Sequence, residues 1–373
     1  AGIGKFPKIK NTDPAIIKQW ACRWFTDMEI AVIGAGIIGS CTAWAAAKQG
    51  HRVVLFEQDA PMAHTSQSSS KLLHGGLRYL ETGQFSLVQK ALQARRFWLE
   101  QAPQFCRPLE LLFPIYGKRG RPRWQIGIGT KLYDILARGS GFPRSRWLDR
   151  QEVLARNPNL LSDGLKGAYS FYDAQMDDYA LGQWVIGQCR QLGVEIRDGC
   201  KISSLDTLSG FDRIANAAGP WAMDLRKLQN GTPAYTIDWV RGSHIFIDRP
   251  QPHALMLPIP NEKRIFFILP YQGKTLIGTT EVRQDHPQAE RPSENEIGYL
   301  LDAYNAYHCE PLNRSDVGGS FSGVRPLLKS AANPSDATRE WAFERVGNVL
   351  HIYGGKWTTS QIQGEDAVKE LLK

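Results

Sequence analysis

Two spacings alternate along the chain: short unbroken apolar runs of strand length, and apolar residues set three or four apart as on a helix face. Ile30-Ala31-Val32-Ile33 is a run of the first kind, and an Ala-rich helical pattern follows it. A second run, Val53-Val54-Leu55-Phe56, completes a β–α–β unit that ends at Glu57. Helical spacing returns over residues 85–99, through Leu87, Ala91, Leu92 and Phe97-Trp98, and over the amphipathic stretch 125–137. Residues 173–178 predict a turn cluster in which Asp177 or Asp178 caps a helix over 179–192, and 193–196 a strand. Residues 233–340 read as β-rich, with runs at 234–239, 243–247, 264–270 and 275–279 and one helix over 294–308. A strand over 348–353 then enters Gly354-Gly355 and a last helix ending at residue 372. Residues 1–27 precede the first strand as an extension, with Ile16, Ile17, Trp20 and Trp24 spaced for one amphipathic helix.

Composition narrows the function classes. A length of 373 residues allows two domains with substantial cores. The net charge of +8 permits nucleic acid, an anionic membrane surface or an anionic substrate. No zinc finger, basic helix or RNA-binding signature accompanies the charge, which argues against nucleic acid. The six cysteines form no C-x-x-C pair, which predicts a reducing compartment and no metal site. No stretch is long and apolar enough to span a bilayer.

The first loop carries chemistry. Gly34-x-Gly36-x-x-Gly39 lies between strand and helix, and Glu57 ends the second strand eighteen residues later. In this pattern Gly34 allows a tight turn, Gly36 lets the backbone approach a pyrophosphate, and Gly39 lets helix and strand pack closely. The helix N-terminus, with Ile38 in its first turn, favours the phosphates, and Glu57 accepts from ribose hydroxyls. The pattern predicts a bound dinucleotide without separating FAD from NAD.

A dense polar stretch follows: Ser66-Gln67-Ser68-Ser69-Ser70-Lys71-Leu72-Leu73-His74-Gly75-Gly76-Leu77-Arg78-Tyr79. It resembles the flavin-contacting segment of the aerobic, FAD-dependent glycerol-3-phosphate dehydrogenases of the D-amino-acid-oxidase-like superfamily. Ala217-Ala218-Gly219-Pro220-Trp221 and Gly354-Gly355-Lys356-Trp357-Thr358-Thr359 are similar to two further motifs of that family. The likeness covers residues 28–373 and stops short of the helical C-terminal domain of full-length relatives, and the loop over 196–214 is shorter than theirs.

The resemblance implies an α/β fold: a Rossmann-like FAD-binding domain of the glutathione-reductase type, interleaved with an antiparallel β-rich substrate domain. It assigns 28–107, 160–232 and 341–373 to the first, and 108–159 and 233–340 to the second. It implies FAD contacts from Ser69, Ser70, Lys71, Leu73, His74, Ala218, Gly219 and residues 355–359, beside Gly34, Gly36, Ile38, Gly39 and Glu57. A helix N-terminus at Gly354-Gly355 would stabilise negative charge building on the reduced flavin.

It further implies oxidation of sn-glycerol 3-phosphate to dihydroxyacetone phosphate by hydride transfer from C2 to flavin N5, with quinone or oxygen as acceptor. It implies an anion pocket of Arg78, Tyr79, Arg264, Arg339 and Lys356, since guanidinium forks suit phosphate. By the same resemblance His244 would be the base and Arg325 would stabilise the forming alkoxide, with His74 as the alternative base. Another small anionic hydroxy or amino acid, a carrier-linked glyceryl group, and a non-catalytic flavoprotein scaffold stay open as alternatives. The expected location is cytoplasmic, with peripheral contact of the basic, Trp-containing stretch around residues 118–138 on the inner face of the cytoplasmic membrane.

Overall fold

The computed structural model describes residues 27–117, 120–329 and 341–373. Residues 1–26 of the N-terminal extension, Lys118, Arg119 and Arg339 lie outside them.

The first apolar run forms β1 (Glu29–Ile33), the Ala-rich stretch α1 (Ile37–Lys48) and the second run β2 (Arg52–Phe56). β1 and β2 pair in parallel with Ile33 opposite Phe56. They belong to a six-stranded sheet ordered Trp341–Val346, Val349–Gly354, Arg213–Asn216, β1, β2, Glu195–Arg197. All its pairings are parallel except the terminal hairpin. Parallel strands covered on both faces read as near-continuous apolar runs, which is why β1 is buried from Ile30 onward. Gly34 turns the chain out of β1 at φ +99°, with a Cβ position 2.7 Å from the Ala217 carbonyl oxygen. A Cβ on Gly39 would lie 1.8 Å from the Gly34 carbonyl oxygen, so only hydrogen fits where α1 crosses the turn.

The second sheet has ten strands and carries the wall of the site. Near one end of it, Ile237–Ile247 pairs antiparallel with Lys274–Gly278, Val282–Gln284 and Val317–Leu328. Side chains alternate across a strand. Ile245 and Ile247 therefore pack in the core with helix Glu294–Asn305, while Gly242 and His244 face the opposite side. Opposite them in register stand Gly323 and Phe321.

Residues 173–176 are not a turn. They end a twelve-residue strand, Leu165–Met176, that pairs along its length with Cys106–Tyr116. The acids mislead because Asp173 is buried with partners rather than solvated. This strand, placed with the dinucleotide half by a boundary at 160, lies in the second sheet, and Leu72–Leu73 pairs with its end. Asp177 does cap the following helix, Asp178–Gln191, accepting from the Ala180 N–H at 3.0 Å.

Candidate active site

A cavity of about 650 Å³ runs from the glycine turn to the inner face of the second sheet. At the turn it is lined by Gly34, Gly36, Ile38 and Glu57. Ser69, Ser70 and His74 follow, with Ala218 and Gly219 on one side and Gly355, Lys356, Trp357 and Thr358 on the other. At the far end stand Arg78, Tyr79, His244 and Arg325. Residues from every part of the chain thus meet in one space because two sheets close over it.

Four expected cofactor contacts do not line this space. Gly39 backs the turn. Leu73 is fully buried in the core, and Thr359 is fully buried too. Lys71 is buried with its Nζ 2.6 Å from Asp178 Oδ1 and 2.7 Å from the Gln67 carbonyl oxygen. It braces the serine loop from behind: Asp178 also accepts from the Ser69 hydroxyl at 2.7 Å. Arg264, expected on the phosphate, is likewise turned away. Its guanidinium donates to the Thr279 carbonyl at 3.0 Å and Tyr299 Oη at 3.1 Å, and pairs with Glu281 at 3.3 Å. Glu281 lines the cavity in its place, and sequence reasoning missed it. No local pattern marks it, because Thr280 and Val282 flank it and its arginine partners lie elsewhere in the sequence.

The residues present fit a dinucleotide. Gly36 begins α1 without a side-chain cap of its own, and a Cβ there would press on Ser66 Oγ at 3.2 Å. Ser66 accepts from the Ile37 N–H at 2.9 Å and so fixes the first turn. Glu57 is buried at the end of β2 and accepts from the Ala35 N–H at 2.7 Å and the Asp59 N–H at 3.1 Å. The Trp357 indole donates to the Ser66 carbonyl at 2.9 Å, joining the terminal loop to the serine loop. The His74 N–H donates to Thr358 Oγ1 at 3.2 Å.

At the far end His244 is 3 % exposed, stacks on Phe321 with ring centroids 4.8 Å apart, and has Nε2 2.9 Å from Ser70 Oγ. Burial, then the positive charges of Arg325 and Lys71, lower its pKa to about 3, so the imidazole is neutral. Arg325 donates to the Thr280 carbonyl at 3.0 Å and stands 3.5 Å from Glu281. Lys356 Nζ lies 3.9 Å from the centroid of the Tyr79 ring. Beneath this loop the Gly75 N–H donates to Tyr133 Oη at 2.8 Å, and Tyr133 donates to Asp173 at 2.6 Å. Arg95 closes that buried network, 2.6 Å from the same carboxylate oxygen. The cavity therefore joins the glycine turn to a neutral imidazole flanked by cations.

The family model for FAD dependent oxidoreductases matches residues 29–367. The chain belongs to this family. It is an FAD-dependent oxidoreductase with the corresponding mixed α/β fold. Over 92 % of its length it is 35 % identical to the D-erythritol 1-phosphate dehydrogenase of Brucella abortus, covering 73 % of that protein. It is 32 % identical to a glycerol-3-phosphate dehydrogenase of Synechocystis over 98 % of this chain and 71 % of that one. For the human mitochondrial glycerol-3-phosphate dehydrogenase the identity is 30 %, over 93 % of this chain and 53 % of that one. The chain thus spans between about half and three quarters of these relatives. In fold it is similar to the glycerol-3-phosphate dehydrogenase of Bacillus halodurans complexed with FAD, with a TM-score of 0.71, 23 % identity, and coverage of 95 % of this chain and 66 % of that one.

Proposed function

We propose that the chain oxidises the secondary alcohol of a small phosphorylated polyol, with sn-glycerol 3-phosphate as substrate and dihydroxyacetone phosphate as product. The observation that carries this reading is the presence of neutral His244 beside Arg325 in the cavity that also holds the glycine turn. When bound, FAD supplies the acceptor for the electrons and hydrogen of C2. His244 takes the proton of the C2 hydroxyl, and Ser70 holds its ring. A pKa of about 3 makes it a weak base in isolation, and the charge of a bound phosphate raises that value. Arg325 donates to the oxygen as it gains charge. Arg78, Tyr79 and Lys356 hold the phosphate, and His74 positions the cofactor. The glycerol-3-phosphate dehydrogenases among the relatives support this substrate.

D-erythritol 1-phosphate is the second reading, supported by the Brucella relative. An anaerobic titration separates the two: the preferred substrate bleaches the flavin absorbance at the lower concentration. Bleaching by lactate or D-alanine, with neither phosphorylated polyol active, would overturn both.

For the acceptor we assign quinone at a membrane surface, with oxygen as the alternative. Among the described residues no helix is long and apolar enough to cross a membrane. Helix Arg123–Leu136 instead presents Trp124, Ile128 and Ile135 to solvent, at 67 %, 62 % and 51 % exposure. This exposed apolar face supports peripheral contact with a membrane surface, which we place on the inner side of the cytoplasmic membrane. Cosedimentation with anionic vesicles that survives Ile128→Glu would remove the face from the assignment.

A further inference from the structure

The loop that brings His74, Arg78 and Tyr79 into the cavity is held at one backbone atom. His74, Gly76, Leu77, Arg78 and Tyr79 line the space, and the Gly75 N–H among them is taken by the protein itself. It donates to Tyr133 Oη at 2.8 Å and reaches Asp173 Oδ1 at 3.2 Å. Tyr133 and Arg95 each place a donor 2.6 Å from the same Oδ1. An ionised carboxylate only accepts, so the Tyr133 hydroxyl aims its hydrogen at Asp173 and keeps a lone pair for Gly75. Arg95 and Asp173 are buried, and Arg95 Nε and Nη2 have no hydrogen-bond partner among the described residues. A buried ion pair with unmet donors is a poor source of stability compared with apolar packing. What this one does supply is a hydroxyl of fixed direction under Gly75.

Helix Arg123–Leu136 meets the loop along one stripe of residues four apart. Tyr133 takes Gly75, Gly129 faces Leu77, and Gln125 donates to Glu81 at 3.4 Å. The loop has no room to slip, because a Cβ on Gly75 would lie 2.5 Å from Tyr133 Oη and 2.6 Å from Leu92 Cδ2. Gly76 then turns the chain at φ +79° into the short helix Leu77–Thr82, which carries Arg78 and Tyr79. A shift at Gly75 is therefore passed on to both side chains.

We infer that Tyr133 is a positioning residue for the reaction: its hydroxyl, aimed by Asp173 and Arg95, fixes Gly75 and through it the place of Arg78 in the cavity. The inference rests on the proposed function for the part Arg78 plays, that of holding the phosphate. Tyr133 does not itself line the cavity, so whatever its removal changes there must pass through the loop. Without the hydroxyl the Gly75 N–H is left with Asp173 alone at 3.2 Å, and closing that distance draws the loop toward the carboxylate.

The test titrates inorganic phosphate by its perturbation of the flavin absorbance, in FAD-loaded wild type, Tyr133→Phe, Arg78→Ala and the double variant. Phenylalanine keeps the ring that packs edge-on against Phe171 and removes only the hydroxyl. Tyr133→Phe should retain FAD and weaken phosphate about five- to tenfold, the range set by loss of one buried hydrogen bond. In the Arg78→Ala background the same change should add less than about twofold, since residues that act in series do not add. A general loosening of the fold would instead weaken phosphate equally in both backgrounds, and that result would overturn the inference. An unchanged affinity in Tyr133→Phe, with phosphate weakened in Arg78→Ala, would overturn it alone. Wild-type affinity in Arg78→Ala would remove the phosphate placement of the proposed function as well, so the two failures are told apart. If Tyr133→Phe does not hold FAD, the wild-type holoenzyme decides by hydrogen exchange. The Gly75 amide should exchange at least about tenfold more slowly than the Gly76 amide, and equal rates would show that Tyr133 does not hold it.

Discussion

The same substitution, glycine to alanine within a helix, should have opposite signs at two positions. In α1, Gly39→Ala places a methyl group 1.8 Å from the Gly34 carbonyl oxygen and 3.3 Å from the Ala217 Cβ. The first distance is roughly 1.5 Å short of ordinary contact, and the obstacle is backbone, so α1 or the glycine turn must move. Overpacking of this kind costs about 1–3 kcal/mol or more, against a helix-propensity gain of about 1 kcal/mol. Because the displaced turn also shapes the cavity, cofactor affinity should fall, and the stabilisation that binding provides falls with it. Gly187 sits in helix Asp178–Gln191 with nothing within 4 Å of its Cβ position. Gly187→Ala should keep the gain alone, about 0.5–1 kcal/mol. Thermal unfolding and the ratio of flavin to protein absorbance in the purified proteins read both effects. If Gly39→Ala unfolds no earlier than wild type and retains a full complement of FAD, the close crossing of α1 over the turn is wrong.

Two further outcomes follow from the site and the core. His244→Gln keeps a hydrogen-bonding group of similar reach but no base, so flavin reduction by glycerol 3-phosphate should slow by about 10²- to 10⁴-fold with FAD retained. A rate within a factor of three, measured by stopped-flow absorbance, would move the base elsewhere, with His74 the next position to vary. Three buried histidines should make the fold sensitive to acid. Burial lowers His244 to about 3, and His308 and His351 each to about 4, from 6.5. Well above pH 6.5 the folded and unfolded chains bind the same number of protons at these sites. As pH falls below 6.5 the unfolded chain takes up protons that the folded chain refuses, so stability is lost. At pH 5 each site costs about 2 kcal/mol, roughly 6 kcal/mol together, a large share of a typical 5–15 kcal/mol. Equal denaturant midpoints at pH 7 and pH 5 would contradict this.

The sequence revealed the parts whose chemistry is local. The glycine spacing, the apolar runs around it and Glu57 are contiguous consequences of one β–α–β turn, and all of them stand where that logic puts them. The clustering of Arg78, His244, Arg325 and Lys356 was legible only through resemblance, since spacing says nothing about residues brought together by two sheets. What escaped depended on partners far away in sequence. Asp173 reads as a turn residue until Arg95 and Tyr133 are seen to satisfy it inside a strand. Lys71 and Arg264 read as ligand-facing cations, yet Asp178 and Glu281 draw them behind the cavity wall. The strand Cys106–Tyr116 is hard to see in the sequence because Pro108 supplies no N–H to a ladder, although eleven residues continue through it.

The central claim is that one cavity seats a phosphate and the oxidised carbon together. The rate of anaerobic flavin bleaching by glycerol 3-phosphate and by glycerol, at equal concentrations, tests it most directly, because the two differ only in the phosphate. The account predicts rapid bleaching by the phosphate ester and none on the same timescale by glycerol. Equal rates, or a flavin that neither compound reduces, would contradict it.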